Sequence, residues 1–378
     1  MRSGEVHLTD SKTDLRYLID SYRDWAALQQ IPIVEGLLAD LDTIETAPWA
    51  RLGGGCRCAF ILLAGRGDFL ALQLIEIPPG GRTDWMRHLY DEVFYAVTGY
   101  GGAVVDLGEH KAHQFEWGPR ALFSPPLNAR YRIANLSASE PARLLCANDL
   151  PFLMNVFRNE GLLFDHPYAF PQREPRPGAY SGNGDLVSLA PGRHLWETSL
   201  IGDLGAFALP EWEARGAGNR NINIALAHSS MHAHVSELPP GTYTKGRWHD
   251  SGVHVIAISG AGYTLVWKHG EENFERLALR PGSVFALTDE TFHQHFNTGA
   301  QPLRYLAVSM GNERYPMLAR KLKRREVFDR SIRDGGLQID YADQDPRFHP
   351  MWLAELAKIG VASRMEQHFA PQLGSAAS

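Results

Sequence analysis

Four histidines in the second half of the chain are the residues best able to hold a metal ion or move a proton: His249, His254, His293 and His295. Imidazole nitrogen suits zinc, copper, iron and nickel alike, so residue type points to a class of ion rather than to one ion. His249 and His254 stand five residues apart and would face opposite ways on one straight strand. Between them Asp250-Ser251-Gly252 is a turn-forming trio, and a turn lets both side chains converge. His293 and His295, two apart, share a face on a strand. Three neutral imidazoles leave a divalent ion its full charge. Such a centre favours an anionic, chelating substrate such as a catecholate, a 2-hydroxybenzoate, an enolised diketone or an oxo-acid. Arg247 sits among these histidines and is suited to anchoring a carboxylate bidentately. Lys245, Trp248, Tyr243, Trp267 and Tyr305 are candidates for the walls of the same pocket.

The elements that must position these residues belong to an internal repeat. Glu76-Ile77-Pro78-Pro79-Gly80 recurs as Glu237-Leu238-Pro239-Pro240-Gly241, an offset of 161. The same offset carries Gly99-Tyr100-Gly101 to Gly260-Ala261-Gly262 and Pro141-Ala142-Arg143 to Pro302-Leu303-Arg304, while Phe123 and Asn135 map to Phe285 and Asn297 at 162. Each copy is built of short β-branched or aromatic runs ended by turns, such as Phe94-Tyr95-Ala96-Val97 and Val255-Ile256-Ala257-Ile258. Without long helical interludes, that pattern predicts a sandwich or barrel. Outside the repeats, Leu15, Leu18, Ile19, Tyr22, Trp25 and Leu28 predict an amphipathic helix within residues 12–45. Residues 158–185 read as a linker, the basic stretch 313–334 as a solvated helical face or subunit contact, and residues 352–357 as a last helix.

At 378 residues the chain suits two domains, and its formal charge of -6 gives no electrostatic case for nucleic acid or an anionic membrane. No apolar run approaches the roughly 18 residues that span a bilayer. The first residues lack the basic-then-apolar layout of a secretory signal. Three cysteines, Cys56, Cys58 and Cys146, are an odd count that predicts free buried thiols in a reducing, cytoplasmic setting.

These motifs resemble those of the cupin superfamily, whose first motif reads Gly-x5-His-x-His-x3–4-Glu-x6-Gly and whose second ends Pro-x-Gly-x2-His-x3-Asn. The first repeat offers Gly81, then Met86, His88, Glu92 and Gly99; the second offers Gly241, then Arg247, His249, His254 and Gly260, with Pro281-Gly282 leading to His293 and Asn297. The resemblance implies an all-β-dominated chain of two jelly-roll (double-stranded β-helix) barrels with flanking N- and C-terminal helices. The expected parts are a helical arm over 1–50, a first cupin over 51–157, a linker and inter-barrel segment over 158–220, a second cupin over 221–312 and a helical extension over 313–378. In the first cupin only His88 and Glu92 remain in ligand positions, and the second-motif histidine is replaced by Tyr131 or Arg130. That barrel is expected to be a degenerate, structural or effector-binding site with His88 and Glu92 hydrogen-bonded.

In the second cupin the resemblance implies a metal on His249, His254 and His293, with His295 a fourth ligand, a supporting donor or an acid–base group. Without a gap the family's glutamate position falls on Val253, so His254 reaches the cavity only through a bulge or shortened turn; otherwise the ligands are His249, His293 and His295. A bulge is the expectation adopted. The layout resembles gentisate-type ring-cleaving dioxygenases, in which Fe(II) takes both substrate and dioxygen. The expected function is a metal-dependent oxygenase acting on a small aromatic or diketone-like acid. Fe(II), or another divalent transition metal, would be the cofactor, and His295 and Arg247 would stand at the chemistry. The alternatives are a non-redox metal-dependent isomerase, decarboxylase or lyase, and a small-molecule-binding bicupin without catalysis. A homo-oligomer, such as a dimer, is expected.

Overall fold

The computed structural model describes residues 19–108, 111–249, 252–268, 270–288, 291–316 and 327–369. Two barrels account for most of them. In the first, Ile33–Gly36, Arg57–Leu63, Ala71–Ile77, Ala142–Asn148, Glu92–Thr98 and Leu122–Phe123 are hydrogen-bonded in that spatial order. Gly101–Asp106, flanked by Arg130–Asn135 and Ala112–Trp117, forms the facing sheet. In the second, Arg193–Thr198, Arg220–Leu226, Met231–Leu238, Leu303–Met310, Val253–Ser259 and Ser283–Leu287 repeat the order. Its facing sheet runs Glu275–Leu279, Gly262–Lys268, Thr291–Asn297, Gly246–His249 and Gln338–Ile339. The sequence offset of 161 is thus a structural one, and the chain has the two-cupin layout its motifs imply.

Side-chain alternation divides each large sheet between two cores. In the first barrel Phe60, Phe94 and Cys146 face the interior, whereas Ile61, Leu72, Leu74 and Leu145 face outward. In the second, Val255, Phe285 and Ala307 face the interior, and Ile224, Val235, Ile256 and Val308 face outward. The two outward sets merge into one buried apolar layer, so each barrel covers the other. All three cysteines are buried free thiols.

The barrels also exchange a short strand. Leu38–Asp40 leaves the first half to pair with Ser283–Leu287 of the second (Leu38 opposite Phe285), and Leu200–Ile201 pairs with Leu122–Phe123 of the first (Leu200 opposite Phe123). Each exchange is anchored by a duplicated arginine. Arg143 donates to Glu76 at 2.9 Å and to the carbonyls of Leu41 and Ile44, both at 2.9 Å. Arg304 donates to Glu237 at 2.9 Å and to the carbonyls of Leu204, Gly205 and Phe207 at 2.6, 2.8 and 3.0 Å. Asn135 and Asn297 do equivalent work inside each copy. Their amides donate to the carbonyls of Ile77 and Leu238, and their side-chain oxygens accept the backbone N–H two residues on. Gly99 and Gly260 are confined to glycine by backbone sign and space (φ +85° and +79°), because a Cβ would come within 2.6 Å of Ala142 and 2.4 Å of the Pro302 carbonyl oxygen.

The flanking segments depart from expectation at the N-terminus. The helix is only Ser21–Leu28, capped by Asp20, whose carboxylate accepts the Arg23 N–H at 3.0 Å. Gln30 takes a left-handed backbone (φ 57°) and Pro32 forbids helix continuation, so the β-branched residues that follow form strand rather than the extended helical arm. Leu15 and Leu18 lie outside the described residues. The presumed linker is partly strand, since Asp185–Ala190 and Arg193–Thr198 join the second barrel's large sheet. Of the basic stretch, residues 317–326 lie outside the described residues; of the remainder, Val327 is helical and Ile332–Asp334 forms a 3-10 turn. The helix expected at 352–357 runs Phe348–Ile359, with Trp352 fully buried against the second barrel, and a single turn, Glu366–Phe369, follows it. Among the described residues no helix is long and apolar enough to cross a membrane.

Arg304→Ala is expected to lower unfolding free energy by about 3–5 kcal/mol, because Glu237 and three strap carbonyls lose a buried partner together. Urea unfolding measures it, and a loss below about 1 kcal/mol would show that the strap is held by something else.

Candidate functional site

The interior of the second barrel gathers its polar side chains from facing strands. Gly246–His249 pairs antiparallel with Thr291–Asn297, setting Arg247 opposite His293, Trp248 opposite Phe292 and His249 opposite Thr291. The two-residue period puts His293 and His295 on one face, and both line a cavity with Arg247. His234, Arg215, Thr244 and Tyr305 complete its polar lining, and Val253, Val255, Leu287 and Ala307 its apolar wall. The cavity is partly open and has about 20 Å³ of space, room for roughly one water molecule.

Charge in this cavity comes from two buried guanidinium groups. Arg247 is 4% exposed; its Nη2 donates to Gln338 Oε1 at 2.6 Å and to the Ala214 carbonyl at 3.2 Å, and lies 3.1 Å from an Asp329 carboxylate oxygen. Its Nε and Nη1 are buried without a hydrogen-bond partner among the described residues, as is Nε of Arg215. Arg215 spends one Nη on Ser236 Oγ at 2.9 Å and lies over the Trp212 ring. Burial, and then the Arg215 charge, push the Arg247 pKa down to about 10, which leaves it cationic at neutral pH. His295 is neutral there. Burial first, then the charges of Arg215 and Arg247, hold its pKa near 3. Its Nδ1 is 2.7 Å from Thr264 Oγ1, and its ring centroid is 5.0 Å from that of His293 and 4.6 Å from that of Tyr305.

The expected site residues separate on these coordinates. His293, His295, Arg247 and Tyr305 come together. The backbone of His249 occupies the strand two residues beyond Arg247, and its side chain lies outside the described residues. His254 is not brought to the cavity. The register Val253–Leu287, His254–Ala286, Val255–Phe285 is unbroken, so the bulge needed to turn it inward is absent from that stretch. Val253 and Val255 therefore face the cavity, and His254 points into the layer between the barrels, fully buried, with neither ring nitrogen hydrogen-bonded. Desolvation, and then the Arg66 charge, hold its pKa near 3. Four expected wall residues also lie elsewhere. Tyr243 packs on Phe296, Tyr341 and Trp352, Trp267 packs on Phe292 and Phe348, Lys245 pairs with Asp340 at 2.8 Å, and Trp248 does not line the cavity.

His234, Arg215 and Thr244 are lining residues that the motifs did not single out. For His234 a signal existed: His232-Ala233-His234 alternates on a strand immediately before Glu237-Leu238-Pro239-Pro240-Gly241. His232 Nε2 meets His234 Nδ1 at 3.0 Å. Arg215 arrives from a loop in the inter-barrel segment, which no local pattern connects to the barrel.

The first barrel closes its own site. His88 Nε2 lies 2.9 Å from Glu92 Oε1 and 3.1 Å from the Tyr131 hydroxyl, and its Nδ1 lies 3.0 Å from the Tyr90 carbonyl. The Cys146 thiol donates to the other Glu92 oxygen at 3.3 Å. Burial, and then the Glu92 carboxylate, push the Tyr131 and Cys146 pKa values well up, so both keep their protons. Each polar end of His88 and Glu92 already has a partner.

A metal ion fits the second barrel by donor chemistry, since His293 and His295 offer nitrogens in one cavity. Among the described residues, however, no three His, Cys, Asp or Glu side chains are close enough together to hold one, and a valine stands where a carboxylate ligand would.

Neither a protein-family model nor a curated protein matches this chain. Among solved structures it is similar to the oxalate decarboxylase of Lactobacillus farciminis in a formate complex, at 15% identity and a TM-score of 0.48, over 76% of this chain and 89% of that one. It is also similar to oxalate decarboxylase of Bacillus subtilis at pH 4.6, at 15% identity and a TM-score of 0.46, over 78% of this chain and 83% of that one. Mn(II) centres are described for the Bacillus subtilis protein. Neither is a gentisate-type dioxygenase, and likeness at this level transfers no residue role or substrate.

His254→Leu is expected to leave ligand and metal binding unchanged. A folded-state pKa near 3 lies below the unfolded value of about 6.5, so neutral His254 contributes stability above pH 6.5 that is lost as pH falls toward 3. Between pH 6.5 and 4 the wild type should therefore lose stability relative to His254→Leu by about 1.4 kcal/mol per pH unit, read from denaturant melts. Parallel pH profiles for the two proteins would contradict the buried, uncharged placement.

Proposed function

We propose that the second barrel binds the carboxylate of a small organic acid on Arg247 and Arg215, and that it performs non-redox chemistry of the decarboxylase, lyase or isomerase kind with a divalent transition ion held by His249, His293 and His295. The observation that carries this reading is Arg247, directly opposite His293, buried and cationic with two N–H groups unspent. The unspent Nε and Nη1 lie on different edges of the guanidinium, so each can give one charge-assisted hydrogen bond to an anion, and desolvation makes each such bond stronger than it would be in water. Arg215 adds a second cation to the same lining and favours an acid with more than one anionic oxygen group.

The bound ion would supply Lewis acidity toward the acid's oxygens. The chain's own residues supply the rest. Arg247 and Arg215 fix the carboxylate. His295, in the tautomer that donates Nδ1–H to Thr264 Oγ1, keeps its Nε2 lone pair directed away from that threonine. Val253, Val255 and Leu287 exclude water from one side. This reading takes the non-redox alternative in place of the Fe(II) oxygenase acting on an aromatic or diketone-like acid. The first barrel, whose His88 and Glu92 satisfy one another, has a structural role in this reading.

Elemental analysis of the purified protein, followed by calorimetry with short mono- and dicarboxylic acids, tests both halves. Wild type should carry a stoichiometric divalent ion that His293→Ala loses, and Arg247→Gln should weaken acid binding by at least tenfold, about 1.4 kcal/mol. Turnover should persist without oxygen. Acid binding indifferent to Arg247→Gln would remove the anion site, and a metal-free wild type that still turns over acid would remove the ion.

A further inference from the structure

Two carboxylates meet where the barrels join. Asp91 precedes the first-barrel strand Glu92–Thr98 and Asp149 follows Ala142–Asn148; each is 4% exposed. Asp149 stands at the N-cap of the helix Leu150–Phe157 but makes no side-chain bond to it, and that helix has no acidic residue in its first turn. The carboxyl is turned to the interface instead, where its Oδ1 accepts the Asp91 N–H at 2.8 Å. The second barrel reaches both acids through one residue. Ser230 N–H donates to Asp91 Oδ2 at 2.7 Å, and Ser230 Oγ lies 2.8 Å from that same oxygen and 3.3 Å from Asp149 Oδ2. The turn that leads to Ser230 is strained, since Ala227 and His228 both take left-handed backbones (φ 48° and 56°). The cation in contact with the pair is Arg173, whose Nη1 lies 3.5 Å from Asp91 Oδ2 and also donates to the His228 carbonyl.

We propose that Asp91 and Asp149 hold a single proton between them, and that this proton latches the Ala227–Ser230 turn of the second barrel onto the first. The count of hydrogens is the first reason. The Ser230 hydroxyl has one hydrogen and gives it to Asp91 Oδ2, the nearer acceptor. Its contact with Asp149 Oδ2 is then a bond only when that oxygen carries a proton of its own and donates it to Ser230 Oγ. Charge is the second reason. Two buried carboxylates on one hydroxyl repel each other when both are ionised, and the Arg173 contact is with Asp91. Burial, and then the Asp91 charge, push the Asp149 pKa well above the usual carboxylate range. His228, in the same turn, is held below its ordinary value by burial and then by the Arg314 charge. Because the folded value of Asp149 exceeds the unfolded one, its contribution to stability is fully present below about pH 3.9 and is lost as pH rises through the folded value. Loss of the proton leaves Ser230 Oγ between two anions with one hydrogen to give, and the strained turn loses its hold on Asp149.

Denaturant melts of the full chain between about pH 4 and pH 9, with hydrogen–deuterium exchange read at the turn, test the latch in wild type and Asp149→Asn. The asparagine amide reproduces the protonated carboxyl, accepting from Asp91 N–H and donating to Ser230 Oγ. As pH rises, the unfolding constant of wild type is expected to grow relative to that of Asp149→Asn by up to about tenfold per pH unit. Over the same range, exchange at the turn, corrected for its intrinsic rate, is expected to quicken several-fold in wild type and to stay level in Asp149→Asn. Parallel stability profiles in the two proteins overturn the shared proton and the latch with it. Diverging profiles with level exchange at the turn in both overturn the latch. Should Asp149→Asn not fold, Asp91→Asn removes the repelling charge from the other side. It is expected to diverge from wild type in the same direction, and a profile parallel to wild type overturns the shared proton.

Discussion

Strict alternation of side chains along the strands of the two large sheets governs this molecule. Each strand serves a barrel interior with one set of residues and the layer between barrels with the other. The two halves cannot be repacked independently, because sliding a strand by one residue would exchange a cavity wall for an interface. Val253, His254 and Val255 show the consequence. Two valines line the pocket, and the histidine between them is locked into the apolar layer, where burial keeps it neutral. Register decides what a side chain can do here before its chemistry does.

The duplication shows which parts of a barrel are scaffold and which are free to change. The arginine that ties each exchanged strap to a glutamate and a row of carbonyls persists in both copies, as does the asparagine that closes the same turn. A lone buried guanidinium is costly, and one satisfied by a carboxylate and several carbonyls is not, so the full set of partners persists together. The interiors have diverged. In the first barrel histidine, glutamate, tyrosine and cysteine consume one another's hydrogen-bonding capacity. In the second, two arginines stand among histidines with donors left over. The two interiors differ in whether their polar atoms are already spent on one another.

The C-terminal extension completes the second barrel in a way the first does not share. Its helix Phe348–Ile359 closes an aromatic cluster around Tyr243, Phe296 and Trp352, and the segment before it places Asp329, Phe328 and Gln338 beside the arginines. Residues distant in sequence thus add charge beside the pocket, while the barrel strands set its shape.

Taken alone, the amino-acid sequence determined the duplication, the two-barrel all-β architecture and its turn glycines, the placement of His293 and His295 on one strand face, and the spent character of the His88–Glu92 site. The duplication, the β pattern and the His293–His295 face follow from local pattern and repeat offset, and the jelly-roll pair and the spent His88–Glu92 site from what the resemblance to cupins implies. The helix reading of the arm failed at Gln30 and Pro32, where the chain turns to strand. Tertiary structure alone decided that His254 faces away and that Tyr243 and Trp267 belong to the packing of the last helix. It also decided that Arg215 and His234 join the pocket and that Asp329 sits on Arg247. Each depends on a pairing register or on a contact between segments far apart in the chain, and periodicity within one strand carries no information about either.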